Sequence, residues 1–403
     1  MMRILQINTV YKTGSTGKMV YNLHTMLLKD GHLSVVCYGR GKAADESTYK
    51  LNTEAGFRLH ALITRITGIT GVSSNYATNK LIRYIKKFNP DIVHLHNLHG
   101  YYINIYRIMN VLKKLNIKTI WTFHDDFMIT GRCAGYYLCD KWSSGCGNCR
   151  YLNQYPASWF LDFSSCQYKY KKSAFHDFSN LIIVTPSEWL ANRVRNSYLK
   201  DKKIQVIRNG IDTVNTFYPR ESAALRNKHQ IGANEKIILA VAPDFSNERK
   251  GGKYILQLAE KLGGNSDIKV IVVGYSGETA GLPKNLIAVG NLSDQSELSG
   301  YYSLADVFVI TSQCENFPTV CLEALACGTP AAGFDRGGTK ETVPPGLGYF
   351  VEYGDVEELK NAVLKLMNET DCELGKKCVE YAKSNYSVEK MYLEYLNLYN
   401  QNK

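Results

Sequence analysis

Apolar and polar residues alternate along this chain in two rhythms. Short runs dominated by Val, Ile and Leu, such as LSVVCYG (33–39), DIVHLHNL (91–98), KTIWTF (118–123), LIIVTPS (181–187) and KIQVIRNG (203–210), have the length and continuity of buried strands. Elsewhere apolar positions recur every three or four residues, as at Met19, Val20, Leu23, Met26 and Leu27, the spacing of a helix with one buried face. The scheme returns in EKIILAVAP (235–243), IKVIVVG (268–274), LIAVG (286–290), ADVFVITS (305–312), TPAAGF (329–334) and YFVEY (349–353). Strands alternating with helices predict βαβ units and parallel sheets, hence an α/β protein. The first set closes near Ile207–Gly210, before a mixed, charged segment that carries Pro219. Two Rossmann-like domains are therefore expected, at 1–210 and 211–387, with a Tyr/Leu-rich helix in 388–403 packing back on the first. Ligands of such sheets bind beyond the carboxyl ends of the strands, so the expected site is a cleft that the two sheets face.

Bulk properties narrow the class. Of 403 residues, 45% are apolar and 21% charged, ordinary for a folded soluble protein. No apolar run approaches the roughly 20 residues that span a bilayer. The opening MMRILQINTV passes straight into a strand pattern without a signal peptide, which predicts a cytoplasmic protein. The formal charge is +11 and uneven: residues 58–118 hold ten Lys/Arg and only Asp91 as an acid. Such a face suits anionic lipid head groups or phosphorylated substrates. With Tyr76, Tyr84, Tyr101 and Tyr102 among its charges, the stretch Arg58–Lys118 is expected to rest peripherally on a membrane. Nucleic acid is set aside, since no recognition-helix, zinc-finger or RNP pattern accompanies the charge.

Glycine-rich turns are the first candidates for chemistry. YKTGSTGKMV (11–20) lies between a strand and a helix, but Lys12 stands where a Walker loop has its first Gly and Met19 where it has a hydroxyl. Gly14 and Gly17 still allow bare amides at a helix start to approach an anion, and a ligand-free tight turn fits the stretch equally. G39-R-G-K-A-A44 matches a dinucleotide fingerprint, yet Asp45, Glu46 and Ser47 follow where an apolar helix should begin, so it reads as a polar loop.

The most specific stretch is SQCENFPTVCLEALACGTP (312–330). Pro318 keeps Glu315 and Glu323 from sharing one helix. Glu315 should sit in the loop after ADVFVITS, with Thr319 as N-cap, a helix over 320–327 and Gly328 just past its end. Helical side chains lean toward the N-terminus, so Glu323 can aim back at whatever the loop holds. Two carboxylates beside a helix start suit the paired hydroxyls of a ribose or a sugar.

At these residues the chain resembles glycosyltransferase family 4, retaining nucleotide-sugar enzymes of the GT-B fold. The likeness includes Glu-x7-Glu with F-P-T-V and E-A-L-A-C-G-T-P, and also MRILQIN with GSTGK, DIVHLHN, WTFHD, VIRNGID, the RKGG turn and FDRGGTKE. The resemblance implies that Glu323 holds the nucleotide ribose and Glu315 the transferred sugar. It also implies that the backbone of Asn316, Phe317, Thr319 and Val320 donates to sugar and phosphate oxygens, and that Lys250 binds the diphosphate. The family's partner arginine is replaced by Phe245, with Arg249 as the substitute. Gly14 and Gly17 would face the diphosphate, as would the Gly337–Gly338 turn, and His124 would serve the sugar and acceptor as the second catalytic residue beside Glu315. His94 and His96 are read as strand-end residues that line or support the acceptor side. No Asp-x-Asp is present to hold magnesium, and no cofactor is expected to be required for catalysis. The implied partners are a nucleotide-diphosphate sugar donor and a glycan or lipid-linked acceptor in surface-polysaccharide synthesis. A sugar-nucleotide epimerase and a non-catalytic nucleotide-sugar-binding subunit share the pattern.

GRCAGYYLCDKWSSGCGNC (131–149) stands apart. Cys133, Cys139, Cys146 and Cys149 have spacing suited to a structural zinc, and a disulfide or free thiols fit as well.

Overall fold

The computed structural model describes residues 1–403 except 43–44, 136–138, 243, 266, 370–371 and 402–403. It divides into two compact units, one of Met1–Arg208 with Tyr392–Lys403 and one of Asn209–Met391.

The first unit is built on strands β1 (Arg3–Asn8), β2 (Leu33–Tyr38), β3 (Thr48–Lys50), β4 (Ile92–Leu95), β5 (Lys118–Thr122), β6 (Leu181–Thr185) and β7 (Lys203–Val206). They pair in the order β3-β2-β1-β4-β5-β6-β7, every pair parallel. Its helices are α1 (Gly14–Lys29), α2 (Glu54–Thr67), α3 (Asn75–Phe88), α4 (Ile105–Lys114), α5 (Lys141–Ser144), α6 (Ser164–Phe175) and α7 (Glu188–Arg195). Leu5, Ile7, Val93, Leu95, Trp121 and Ile183 form the centre of its core. Short β3 was not anticipated; its TYK is too brief to carry a period.

The second unit repeats the plan. Strands β8 (Lys236–Val241), β9 (Ile268–Val273), β10 (Leu286–Val289), β11 (Val307–Ile310), β12 (Ala331–Phe334) and β13 (Gly348–Val351) pair in the order β10-β9-β8-β11-β12-β13, again all parallel. Ile237 and Leu239 enter the core on one face of β8, and Ile238 and Ala240 that on the other, as the two-residue strand period requires. Its helices are α8 (Ala223–Lys228), α9 (Gly252–Leu262), α10 (Gln295–Leu304), α11 (Thr319–Ala326), α12 (Val356–Glu369) and α13 (Cys372–Tyr386). In both units the chain starts at a central strand, winds outward and then crosses to the other side, so each sheet has a switch point: between β1 and β4, and between β8 and β11.

Helix α14 (Val388–Asn400) belongs from Tyr392 onward to the first unit, where polar side chains receive it. His94 of β4 bonds the Tyr399 hydroxyl through Nδ1 at 2.7 Å and the Thr122 hydroxyl through Nε2 at 2.8 Å, and Thr122 meets the Tyr395 hydroxyl at 2.8 Å. Buried Lys118 donates to the carbonyls of Leu398, Tyr399 and Gln401 at 2.8, 2.9 and 2.6 Å. A helix leaves its last carbonyls unpaired and its C-terminus negative, so one ammonium satisfies three acceptors and the dipole together. Lys118→Met is expected to lower stability by about 2–3 kcal/mol, the cost of buried carbonyls left without a charged donor. Thermal unfolding would read this as a clear drop in midpoint, and hydrogen exchange would place the loss in α14.

Candidate functional site

Both switch points are laced by backbone. In the second unit, Gln313 N–H donates to the Arg249 carbonyl at 2.8 Å, and the Thr311 hydroxyl to the Gly251 carbonyl at 3.0 Å. Gly251 has φ +70°, and a Cβ there would run into the Thr311 carbonyl, so glycine is required for this close approach. Asn247 caps the tight turn at 248–250 by accepting from Arg249 N–H at 3.0 Å. The turn after β8 is thereby fastened to the loop after β11, and Lys250 Nζ meets Glu315 Oε1 at 2.7 Å. Both side chains remain partly exposed. Glu315 is itself fixed by a bridge to Gly337, and its carbonyl accepts from Gly338 N–H at 2.9 Å.

Glu323 lies one element further on, in α11, almost wholly buried, and accepts from the Tyr302 hydroxyl of α10 at 3.0 Å. Burial, chiefly, pushes the Cys321 thiol up to about 12, with the carboxylates of Glu315 and Glu323 both adding to the rise. That thiol therefore lies in the field of both acids. Thr319 is the first helical residue rather than the N-cap. Pro318 takes the cap position, and no side chain caps the start. Gly328, at φ +89°, follows the C-cap residue as expected. Asn316 and Phe317 are buried, the Phe317 ring edge-on to Tyr386 at 5.8 Å, so Phe317 can offer a ligand only its backbone. Phe245 is buried and packs near Tyr275, while Arg249 is exposed. An apolar ring at 245 supports the turn where an arginine was expected.

In the first unit, the Thr9 hydroxyl donates to the Asn97 carbonyl at 2.8 Å, and Asn97 N–H to Asn8 Oδ1 at 3.1 Å, joining the loops after β1 and β4. Gly14, at φ +65°, opens α1, and Gly17 lies inside the helix, where a Cβ would crowd Val10 and the Lys12 amide. The glycine segment is thus the first helical turn itself. Thr13 makes no side-chain cap, so the first amides of α1 gain no partner from that side chain.

His124 follows β5. Its Nε2 stands 3.4 Å from His96 Nδ1, the two rings nearly parallel. A small recess beside it is lined by His96, Asn97, His99, His124 and Asp125. Burial holds the His124 pKa down, and the charge of nearby His99 lowers it further, so the ring is neutral at pH 7. His94 and His96 are buried and neutral for the same first reason. His96 lines the recess. His94 supports it from within the core, tied to α14.

Two sequence profiles match adjoining parts of the chain: the one described as Glycosyltransferase Family 4 over residues 16–215 and the one described as Glycosyl transferases group 1 over residues 221–385. The chain belongs to glycosyltransferase family 4. The transferase is 26% identical, over 99% of both chains, to the Escherichia coli K12 protein named as a colanic acid biosynthesis glycosyl transferase, WcaC. It is 27% identical to the N-acetyl-alpha-D-glucosaminyl L-malate synthase of Bacillus anthracis, over 54% of this chain and 59% of that protein. Among solved structures it resembles a glycosyltransferase from Rickettsia africae, with TM-score 0.70 at 18% identity over the full length of both chains. It also resembles Anabaena HepE, solved with UDP-glucose, with TM-score 0.66 at 14% identity over 99% of both. These neighbours share the GT-B fold of two Rossmann-like domains.

The cysteine loop of the transferase follows the histidine recess. Cys133, Cys139, Cys146 and Cys149 line one cavity of about 280 Å³ together with Arg132, Lys141 and Arg150. The Cys146 sulfur accepts from Gly131 N–H at 3.1 Å. Among the described residues, no three Cys, His, Asp or Glu side chains stand where they could share a metal ion. The four sulfurs thus share one wall of the loop. Burial raises the pKa of Cys133 and pushes that of Cys146 up to about 11.

Several supporting residues carried no motif. Tyr302 holds Glu323. Arg193 forks onto buried Asp126 at 3.1 and 2.8 Å and lies over the Trp142 ring. Buried Lys171 donates to the Phe127 and Thr130 carbonyls, fixing the loop that follows His124. A lone Lys or Arg in an amphipathic stretch reads as surface until its neighbours are known.

Proposed function

We propose that this enzyme is a retaining glycosyltransferase that moves a sugar from a nucleotide-diphosphate donor to a glycan or lipid-linked glycan acceptor in surface-polysaccharide synthesis. The observation that carries the reading is the Lys250–Glu315 pair at the switch point of the second unit, within the Glu-x7-Glu stretch. The full-length likeness to WcaC supports the polysaccharide setting.

In this reading Glu323 accepts from the ribose hydroxyls and Glu315 from the sugar. The donor's C1–O bond lengthens toward an oxocarbenium-like state, and negative charge gathers on the leaving diphosphate. Lys250, Arg249 and the amides at the start of α11 oppose that charge, and the first turn of α1 offers further amides. The acceptor hydroxyl attacks from the face that the diphosphate leaves, and the phosphate takes its proton, so the anomeric configuration is kept without a carboxylate nucleophile. Neutral His124 can donate one hydrogen bond to a sugar hydroxyl and needs no charge to do so.

The test is ligand-dependent melting. A nucleoside diphosphate at about 100 times its dissociation constant should add about 2.7 kcal/mol and raise the midpoint by several degrees. Comparing UDP with GDP identifies the base, and Glu323→Gln, which can keep the Tyr302 bond, should reduce the shift. No shift from any nucleoside diphosphate would overturn the reading. Turnover that appears only when an acceptor is added separates transfer from epimerisation of the free donor.

A further inference from the structure

Helix α2 turns three large apolar side chains outward. Its buried face carries Ala61 with His60 and Thr64, and neither His60 Nε2 nor the Thr64 hydroxyl has a hydrogen-bond partner. Leu59, Leu62 and Ile66, spaced along one stripe, face outward at 59, 43 and 45% exposure. A helix packed only against its own domain in water shows the opposite arrangement. The apolar surface continues into the segment before α6. Trp159 N–H donates to the Arg65 carbonyl at 2.7 Å, and the Arg65 guanidinium lies 6.0 Å above the Trp159 ring. Gly68, just past α2, is so close to Leu161 that a Cβ would strike the Leu161 carbonyl. Trp159, Phe160 and Leu161 are 54, 73 and 45% exposed.

This is one continuous ridge of six large apolar side chains, flanked by exposed Arg58 and Arg65. The nearest acid in sequence, Asp162, turns its oxygens onto the amides of Cys149 and Ser164 at 2.7 and 2.9 Å. The tyrosines expected to face a membrane do not form this ridge. Tyr101 and Tyr102 are buried, Tyr84 stacks between Tyr49 and Phe88, and only Tyr76 is well exposed.

We propose that the α2 ridge, Leu59, Leu62 and Ile66 with Trp159, Phe160 and Leu161, is a docking surface for an anionic lipid bilayer. The apolar side chains enter the boundary between head groups and acyl chains, Trp159 lies at the level of the head groups, and Arg58 and Arg65 meet the phosphates. The charge favours this occupant over a second copy of the chain, because the arginines beside the ridge complement lipid phosphates, whereas the six ridge residues include no acid to meet them on a second copy. The surface stands independently of the donor chemistry, since its test reads lipid binding and not turnover.

The test is flotation of the full chain with vesicles of phosphatidylcholine containing phosphatidylglycerol, against phosphatidylcholine alone. The protein should float with the anionic vesicles and much less with the neutral ones. Trp159 emission should shift to the blue and be quenched by brominated acyl chains, and Trp159→Phe should remove most of that signal. Arg58→Gln with Arg65→Gln should weaken binding by about 30-fold, at a little over fivefold for each charge removed. Leu62→Asp with Phe160→Asp should abolish binding while the melting temperature and the nucleoside-diphosphate shift stay as in the unmodified protein, since both side chains point to solvent. Failure to float with anionic vesicles overturns the proposal, as does flotation that the ridge substitutions leave intact. A dimer in light scattering that Leu62→Asp splits, without lipid binding, assigns the ridge to a subunit interface and overturns it equally.

Discussion

Lys250→Ala is expected to lower turnover by about 10²–10³-fold, the usual cost of removing one fixed group that opposes charge developing in a transition state. The ammonium is held by Glu315 at 2.7 Å and by a turn that Gly251 and Thr311 tie to β11, so it needs little rearrangement to meet a diphosphate. Folding should hardly notice the change, because a partly exposed ion pair contributes at most about 1 kcal/mol. Initial rates at saturating donor, set beside a melting curve, separate the two effects. A fall in rate with an unmoved melting temperature is the expected result. Lys250→Arg should recover part of the rate, since charge is kept while reach and shape change. A Lys250→Ala protein that turns over normally would remove the lysine from the donor site.

Acidification below about pH 6.5, the ordinary histidine value, is expected to destabilise the first unit. Burial lowers the pKa of His24 and His60 to about 4 and that of His94 to about 3, and it also lowers His96 and His124. Between those folded values and about 6.5 the unfolded chain binds protons that the folded unit refuses, so stability rises with pH across the window and is lost as pH falls through it. Each unit of difference is worth about 1.4 kcal/mol, and several rings act together. Urea midpoints at pH 8, 6 and 5, followed through buried Trp121, should fall in that order. His94→Gln should be less stable at pH 8, having lost part of the bridge to Tyr399 and Thr122, yet show a shallower fall with acid. A midpoint unchanged from pH 8 to pH 5 would contradict the neutral state of these rings.

Much of this architecture is legible in the amino acids because a parallel sheet covered on both faces needs runs such as IILAV and VIVV, which few other elements tolerate. The turn after β8 and the loop before α11 are legible for a similar reason. Pro318 and Gly251 are residues that backbone geometry nearly dictates. Partnerships across long separations are not legible. Nothing local to Lys118 distinguishes it from the surface lysines at 113 and 114, and its burial depends on carbonyls 280 and more residues away. The ridge on α2 escapes for the converse reason. Leu59, Leu62 and Ile66 have the spacing of a buried stripe, and only the packed unit reveals that His60 and Thr64 took the inner face. Helix geometry lets Glu323 aim back at the loop. Its contact with Tyr302 is a second duty that a helix pattern cannot disclose.

The strap from Tyr392 onward has a consequence for synthesis. His94 waits for Tyr399, which lies 305 positions later, so the ribosome must make all of the second unit before the first can be completed. Until then a nascent chain carries a near-finished sheet with the ammonium of Lys118 and the ring of His94 lacking their native partners. A protease that clips the strap should therefore loosen β4 and β5, whose partners in it lie 305 and 280 residues further along the chain.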